Sequence, residues 1–164
     1  MFAVQPVRSG TKAGLYAELL SQARALFEGE RDATANAANL AALIFHTLPE
    51  LNWAGFYWMK DGGLVLGPFQ GKPACVRIAL GQGVCGTAAR DRRTVVVPDV
   101  DKFPGHIACD SASKSEVVVP VVRGGEVIGV LDVDSPRLAR FDAEDARGLE
   151  ALVEAYLAST GGGG

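Results

Sequence analysis

The chain has 164 residues, 48% hydrophobic and 21% charged, with a formal net charge of −3. That length suits one domain with a proper core, and the balance is ordinary for a soluble globular protein. Its basic residues are scattered apart from Arg90, Arg92 and Arg93, which argues against a nucleic-acid surface, because phosphate binding needs clustered Lys and Arg.

The opening Met1-Phe-Ala-Val-Gln-Pro lacks the basic start and apolar run of a signal peptide. No window approaches the roughly 20 apolar residues that span a bilayer. Three cysteines with no short-spaced pair do not make a secreted disulfide framework. The expected compartment is therefore reducing, the cytoplasm, where thiols are kept for chemistry or packing.

Two helices are expected first. Thr11 to Phe27 carries Leu15, Leu19, Leu20 and Phe27, and Asp32 to Leu48 places Leu40, Leu43, Ile44 and Leu48 on one stripe before Pro49. Asn52 to Met59 and Leu64 to Phe69 read as a hairpin around Asp61-Gly62-Gly63, and Cys75 to Leu80 as a third strand. Gly81-Gln-Gly-Val-Cys85-Gly86 is a glycine-rich turn into a short helix, Thr87 to Arg90, followed by a brief strand, Thr94 to Val97. A polar loop runs from Asp99 to Ser115. Strands Glu116 to Val122 and Val127 to Asp134 then flank Arg123-Gly-Gly125, and an amphipathic helix from Asp142 to Tyr156 closes the chain. About six hairpin-connected strands between terminal helices imply an α+β domain, an antiparallel sheet with its N- and C-terminal helices on one side. Residues 1–160 form one domain, and the glycines 161–164 a flexible tail.

Two acids end an otherwise apolar strand. Asp132 and Asp134 stand two residues apart, so they share a face. Held away from water, each would raise the other's pKa, and the pair could keep a proton at neutral pH; at a strand end they could equally face solvent. Glu116 opens the neighbouring strand. In Trp53-Ala-Gly55-Phe-Tyr57, Trp53, Gly55 and Tyr57 also share a face. Gly55 would leave a gap between two rings where a methyl group fits, although the same pattern also packs plain cores.

Cys109 sits in the polar loop, where a thiol is reachable and where function concentrates. Cys85 stands near a helix start, where the dipole favours a thiolate, yet a lone cysteine is often a small buried hydrophobe. Cys75 begins a strand and could point either way. The cysteines with His106 lack the short spacing of a structural zinc site, so no metal is expected. His106 is a candidate base toward Cys109, or a residue that caps or packs the loop.

The segment Gly105-His-Ile-Ala-Cys109-Asp-Ser-Ala-Ser-Lys-Ser-Glu116-Val-Val-Val-Pro120 resembles the signature of the free methionine-(R)-sulfoxide reductases, which are built on a GAF domain. Trp53-Ala-Gly-Phe-Tyr57, Gly81-Gln-Gly-Val-Cys85-Gly-Thr-Ala-Ala and Gly129-Val-Leu-Asp132-Val-Asp134-Ser extend the likeness from about Tyr16 to Tyr156. The resemblance implies Cys109 as nucleophile, Cys75 as resolving cysteine and Cys85 as an alternative resolver. It implies a substrate pocket of Trp53, Tyr57, Glu116, Asp132 and Asp134, with no bound cofactor. The implied activity is reduction of free methionine (R)-sulfoxide through a sulfenic acid and an intramolecular disulfide, recycled by thioredoxin or a similar dithiol. An acid of the cluster would protonate the sulfoxide oxygen, and loop amides between Asp99 and Ser115 would hold the substrate carboxylate. The resemblance also implies a homodimer, through the N-terminal helices, and a role in oxidative stress repair. Two rivals remain: a non-catalytic GAF sensor of a small ligand, and a redox-switch protein using the same disulfide.

Overall fold

The computed structural model describes residues 3–5, 10–106 and 110–161. The chain-order elements are α1 (Lys12–Phe27), α2 (Ala33–Thr47), β1 (Trp53–Lys60), β2 (Gly63–Gly71), β3 (Arg77–Ala79), α3 (Gly83–Asp91), β4 (Val95–Val97), β5 (Ser115–Arg123), β6 (Glu126–Ser135) and α4 (Ala143–Thr160). Capping side chains set three helix starts. Thr11 accepts from Gly14 N at 3.1 Å and Asp32 from Ala35 N at 2.8 Å, and Asp142 with Asp145 forms a reciprocal capping box.

The sheet runs β3-β2-β1-β6-β5-β4, with every neighbouring pair antiparallel. Alternation along the strands divides the core in two. Ala54, Phe56, Val117, Val119, Leu131 and Val133 meet α1, α2 and α4 on one face. Trp53, Tyr57, Val118 and Val130 face the other way, toward Val84, Cys85, Ala88 and Ala89 of α3. The terminal helices thus share one side, as expected, while the short α3 covers the opposite face. Each fully buried Leu of the larger core, among them Leu19, Leu40, Leu131 and Leu149, contributes about 1.5–3 kcal/mol.

The helix layer closes tightly at Gly148, where a Cβ would meet the Tyr16 ring at 2.2 Å. Tyr16 there donates its hydroxyl to Asp145 Oδ1 at 2.8 Å, Lys12 Nζ stands 2.7 Å from Asp145 Oδ2, and Arg140 Nη1 lies 3.4 Å from Oδ1. These contacts bind α1 to α4 through a carboxylate only 1% exposed.

Two boundaries differ from the sequence pattern. The third strand is only Arg77–Ala79, because Cys75 lies in the half-buried approach to it. The turn at 81–86 is already helical from Gly83, so Cys85 belongs to the first turn of α3. Glycines 162–164 of the expected tail lie outside the described residues.

Candidate active site

Three central strands carry the site in two cross-strand rows. Trp53 of β1 pairs with Asp134 of β6, which pairs with Glu116 of β5; one step along, Gly55 pairs with Asp132, which pairs with Val118. Both rows point to the α3 side. The acids are buried: Glu116 is 6% exposed and Asp132 and Asp134 are each 7%. The solvent-facing alternative for these acids therefore fails, since α3 and the segment after β4 roof over the end of the strands.

The cavity beneath that roof is lined by Trp53, Tyr57, Cys85, Glu116, Asp132 and Asp134, with Gln82 and Gly83 from the start of α3 and His106, Asp110 and Ser113 from the loop. The sheet thus supplies the aromatics and acids, and the roof supplies polar groups above them.

Burial is the largest cause pushing Asp132 and Asp134 well above the usual carboxylate range, and the neighbouring carboxylates add to it. Burial also raises Glu116, partly offset by its carboxyl neighbours and by His106, whose Nε2 lies 3.9 Å from Glu116 Oε1. The cluster therefore retains protons that an exposed acid would lose. Asp132 Oδ1 is buried with no hydrogen-bond partner among the described residues. A buried polar atom left so is costly, which marks the place where a ligand group would be held.

Tyr57 is a neutral phenol, its pKa driven up by burial and then by the Asp132 charge; its hydroxyl donates to the Cys75 carbonyl at 2.9 Å. Trp53 Nε1 donates to Lys72 O at 3.1 Å. With their polar tips so occupied, the two rings present carbon faces.

The expected gap at Gly55 is closed. Trp53 and Tyr57 stack with centroids 5.9 Å apart, and Phe69 of β2 stacks on Trp53 at 5.2 Å. A Cβ at Gly55 would lie 2.3 Å from Phe69 Cβ and 2.8 Å from Trp53 Cη2. Gly55 admits the neighbouring strand's aromatic and leaves no room for a ligand methyl; the aromatic wall is a single stacked surface.

Cys85 follows the buried-hydrophobe alternative and not the thiolate one. Its thiol is 4% exposed, and burial followed by the charges of Asp132 and Glu116 pushes its pKa well above that of a free cysteine. Its helix-start position does not produce a thiolate, because burial, with the acid cluster facing it, outweighs about half a unit of helix charge. The S–H donates toward Glu116 Oε2 at 4.0 Å. Cys75 is disulfide-bonded, and Cys85 is free. Cys109, with Ile107 and Ala108, lies outside the described residues.

Several loop amides proposed for a substrate carboxylate are engaged within the fold. Ala112 N donates to Asp110 Oδ1 at 2.9 Å, Ser113 N to Asp110 O at 3.2 Å, and Lys114 N to Ser135 O at 2.8 Å. Asn52, which the sequence reading passed over, organises this segment: its Nδ2 donates to Asp110 Oδ2 at 3.0 Å and to Ser113 Oγ at 2.9 Å, while its backbone N donates to Asp134 O at 3.0 Å. The one available sequence signal was a polar residue directly before the aromatic run. His106, a candidate base or a residue that caps or packs the loop, lines the cavity with its Nε2 3.9 Å from Glu116 Oε1.

A family model described as GAF domain matches residues 34–156. The chain is 54% identical over 156 residues to protein YtsP of Bacillus subtilis, covering 94% of this chain and 95% of that one. It is 51% identical over 152 residues to the free methionine-R-sulfoxide reductase of Escherichia coli, covering 91% and 92%. The X-ray structure of free methionine-R-sulfoxide reductase from Neisseria meningitidis in complex with its substrate superposes with a TM-score of 0.93 at 45% identity, covering 97% of this chain and 95% of that chain.

Proposed function

The chain belongs to the GAF domain family and, within it, to the free methionine-R-sulfoxide reductases, and from that premise we propose that it reduces free methionine (R)-sulfoxide with Cys109 as nucleophile. The observation that carries this reading is the buried acid cluster lining one cavity with the stacked Trp53 and Tyr57 rings, Asp132 Oδ1 having no hydrogen-bond partner among the described residues.

A sulfoxide sulfur becomes electrophilic when its oxygen is protonated. The cluster of Glu116, Asp132 and Asp134 holds a proton at neutral pH because burial and mutual repulsion disfavour its full ionisation. The Cys109 thiolate attacks sulfur while that proton moves to the sulfoxide oxygen. The oxygen passes to Cys109 as a sulfenic acid, the substrate sulfur gains two electrons, and methionine leaves. Cys75 then attacks Cys109 sulfur; the Cys75–Cys109 disulfide forms and the oxygen departs as water. The disulfide on Cys75 is, in this reading, the product of that condensation. A dithiol such as thioredoxin returns both thiols by exchange.

The Trp53 and Tyr57 faces receive the S-methyl end, and ionised members of the cluster take the substrate ammonium. The first-turn amides of α3 are suited to its carboxylate: Gln82 and Gly83 line the cavity, and the N-cap Gln82 makes no side-chain cap hydrogen bond. Recognition of both termini would exclude methionine within a peptide. Cys85 in this scheme holds Glu116 through its thiol and is a poor resolver, being neutral and buried. No bound cofactor enters the reaction. A homodimer, thioredoxin as reductant and a cytoplasmic location complete the reading; among the described residues no helix is long and apolar enough to cross a membrane.

The test offers the two sulfoxide epimers of free methionine separately, with a thioredoxin system, and measures methionine produced. Turnover of the R epimer alone is expected. Binding without methionine release would favour a ligand sensor, and thiol oxidation by peroxide without methionine release would favour a redox switch.

A further inference from the structure

We propose that the same chamber binds a divalent cation, Zn²⁺ being the ion that fits, through Cys85 Sγ and one carboxylate oxygen each of Glu116 and Asp132, and that the ion thereby shuts out the substrate. The ligand atoms lie within 4.8 Å of one another, though they come from α3, β5 and β6. All three residues are buried, at 4%, 6% and 7% exposure. Independently, Asp132 Oδ1 is buried with no hydrogen-bond partner among the described residues, an acceptor left empty on a side chain of the cluster.

The cluster also lacks a built-in counter-ion. Among the described residues, the basic side chain within ion-pair distance of these carboxylates is His106, with Nε2 3.9 Å from Glu116 Oε1, and no Lys or Arg pairs with them. A dehydrated site with three ligands that become anionic would gain from a dication, and His106 Nε2 stands near enough to Glu116 to supply a fourth donor after a small movement. Sulfur, oxygen and imidazole suit Zn²⁺ with its four-fold coordination at about 2.0–2.3 Å. Mg²⁺ and Ca²⁺ demand six or more oxygens, which this set does not offer.

Binding forms the metal–sulfur bond as the Cys85 thiol loses its proton to solvent, and the protons retained on the two carboxyl groups leave likewise. Nothing is oxidised or reduced. The ion would occupy the space in front of Asp132 that the substrate needs. This last step rests on the proposed reductase reading; the cation site itself stands on the geometry alone.

The experiment uses the oxidised full chain, in which the disulfide on Cys75 is intact, titrated with Co²⁺ and Cd²⁺ and, by chelator competition, with Zn²⁺. The expected result is one ion per chain with a thiolate-to-metal charge-transfer absorption. In Cys85→Ser the absorption should vanish, with affinity falling about tenfold or more. Asp132→Asn, which keeps side-chain shape, should lose affinity to a similar extent while retaining the absorption at saturation. Absence of the absorption in the parent chain, or equal affinity in parent and Cys85→Ser, would overturn the site. Added methionine (R)-sulfoxide should displace the ion. An ion bound through Cys85 that the sulfoxide fails to displace would overturn the exclusion step and count against the substrate reading, leaving the cation site in place.

Discussion

Glu116 and Asp134 stand directly opposite each other on β5 and β6, two buried acids at a cross-strand position where like charges oppose pairing. The fold tolerates them because they, with Asp132, are not all ionised. The site thus stores a proton at a cost in stability that depends on pH.

For Asp132 the sign is definite. Its folded-state pKa lies above the unfolded value of about 3.9, so the native state holds the proton more tightly. Stability is then greatest at low pH and falls as pH rises from the unfolded pKa through the folded one. Asp132→Asn removes that titration. As pH rises above the unfolded pKa, the melting temperature of the variant minus that of the parent should become more positive until the folded pKa is passed, by about 2–4 °C per kcal/mol. Activity should move oppositely, with kcat/KM lower by about 10²–10⁴. A constant difference in scanning calorimetry would mean that Asp132 does not titrate in this range.

The cysteines separate by turnover number. With stoichiometric enzyme and no external reductant, Cys109→Ser should release no methionine. Cys75→Ser should release about one equivalent and then stop, leaving a sulfenic acid that a dimedone-type reagent traps. Full activity in Cys109→Ser would end the proposed mechanism.

Gly55→Ala forces a methyl group against Phe69 Cβ and the Trp53 ring. Overpacking of this kind costs about 1–3 kcal/mol, so thermal unfolding should shift down by several degrees and kcat/KM should fall as Trp53 is displaced. Gly10→Ala is the matched control, since no described residue lies within 4 Å of its added Cβ. It should leave both quantities nearly unchanged.

Away from the site, Asp145→Ala should be among the most destabilising single changes. It strips partners from Tyr16, Lys12 and Arg140 together, and Arg140 is itself 4% exposed. Removing one member of a buried ion pair costs about 3–5 kcal/mol. Urea denaturation checks the value. Asp145→Asn should lose less, because the amide oxygen still accepts from Tyr16.

Much of this molecule was legible in the one-dimensional pattern. The strand alternation that sends Trp53 and Tyr57 one way and Phe56 the other is a two-residue period. The caps at Thr11, Asp32 and Asp142 are local chemistry. Other features had no local signal. Phe69 fills the space at Gly55 because a neighbouring strand brings it there. Asn52 holds the loop through partners 58 and 61 residues away.

Residue order alone determined the α+β fold class, the shared face of Asp132 and Asp134, and the family likeness, since backbone periodicity and motif spacing act over a few residues. Only the folded arrangement decided that those acids are enclosed, that the Cys85 thiol is neutral, and that His106 faces Glu116. Ionisation depends on water exclusion and on charges within a few ångströms, and here α3, the loop and strands distant in sequence jointly create both.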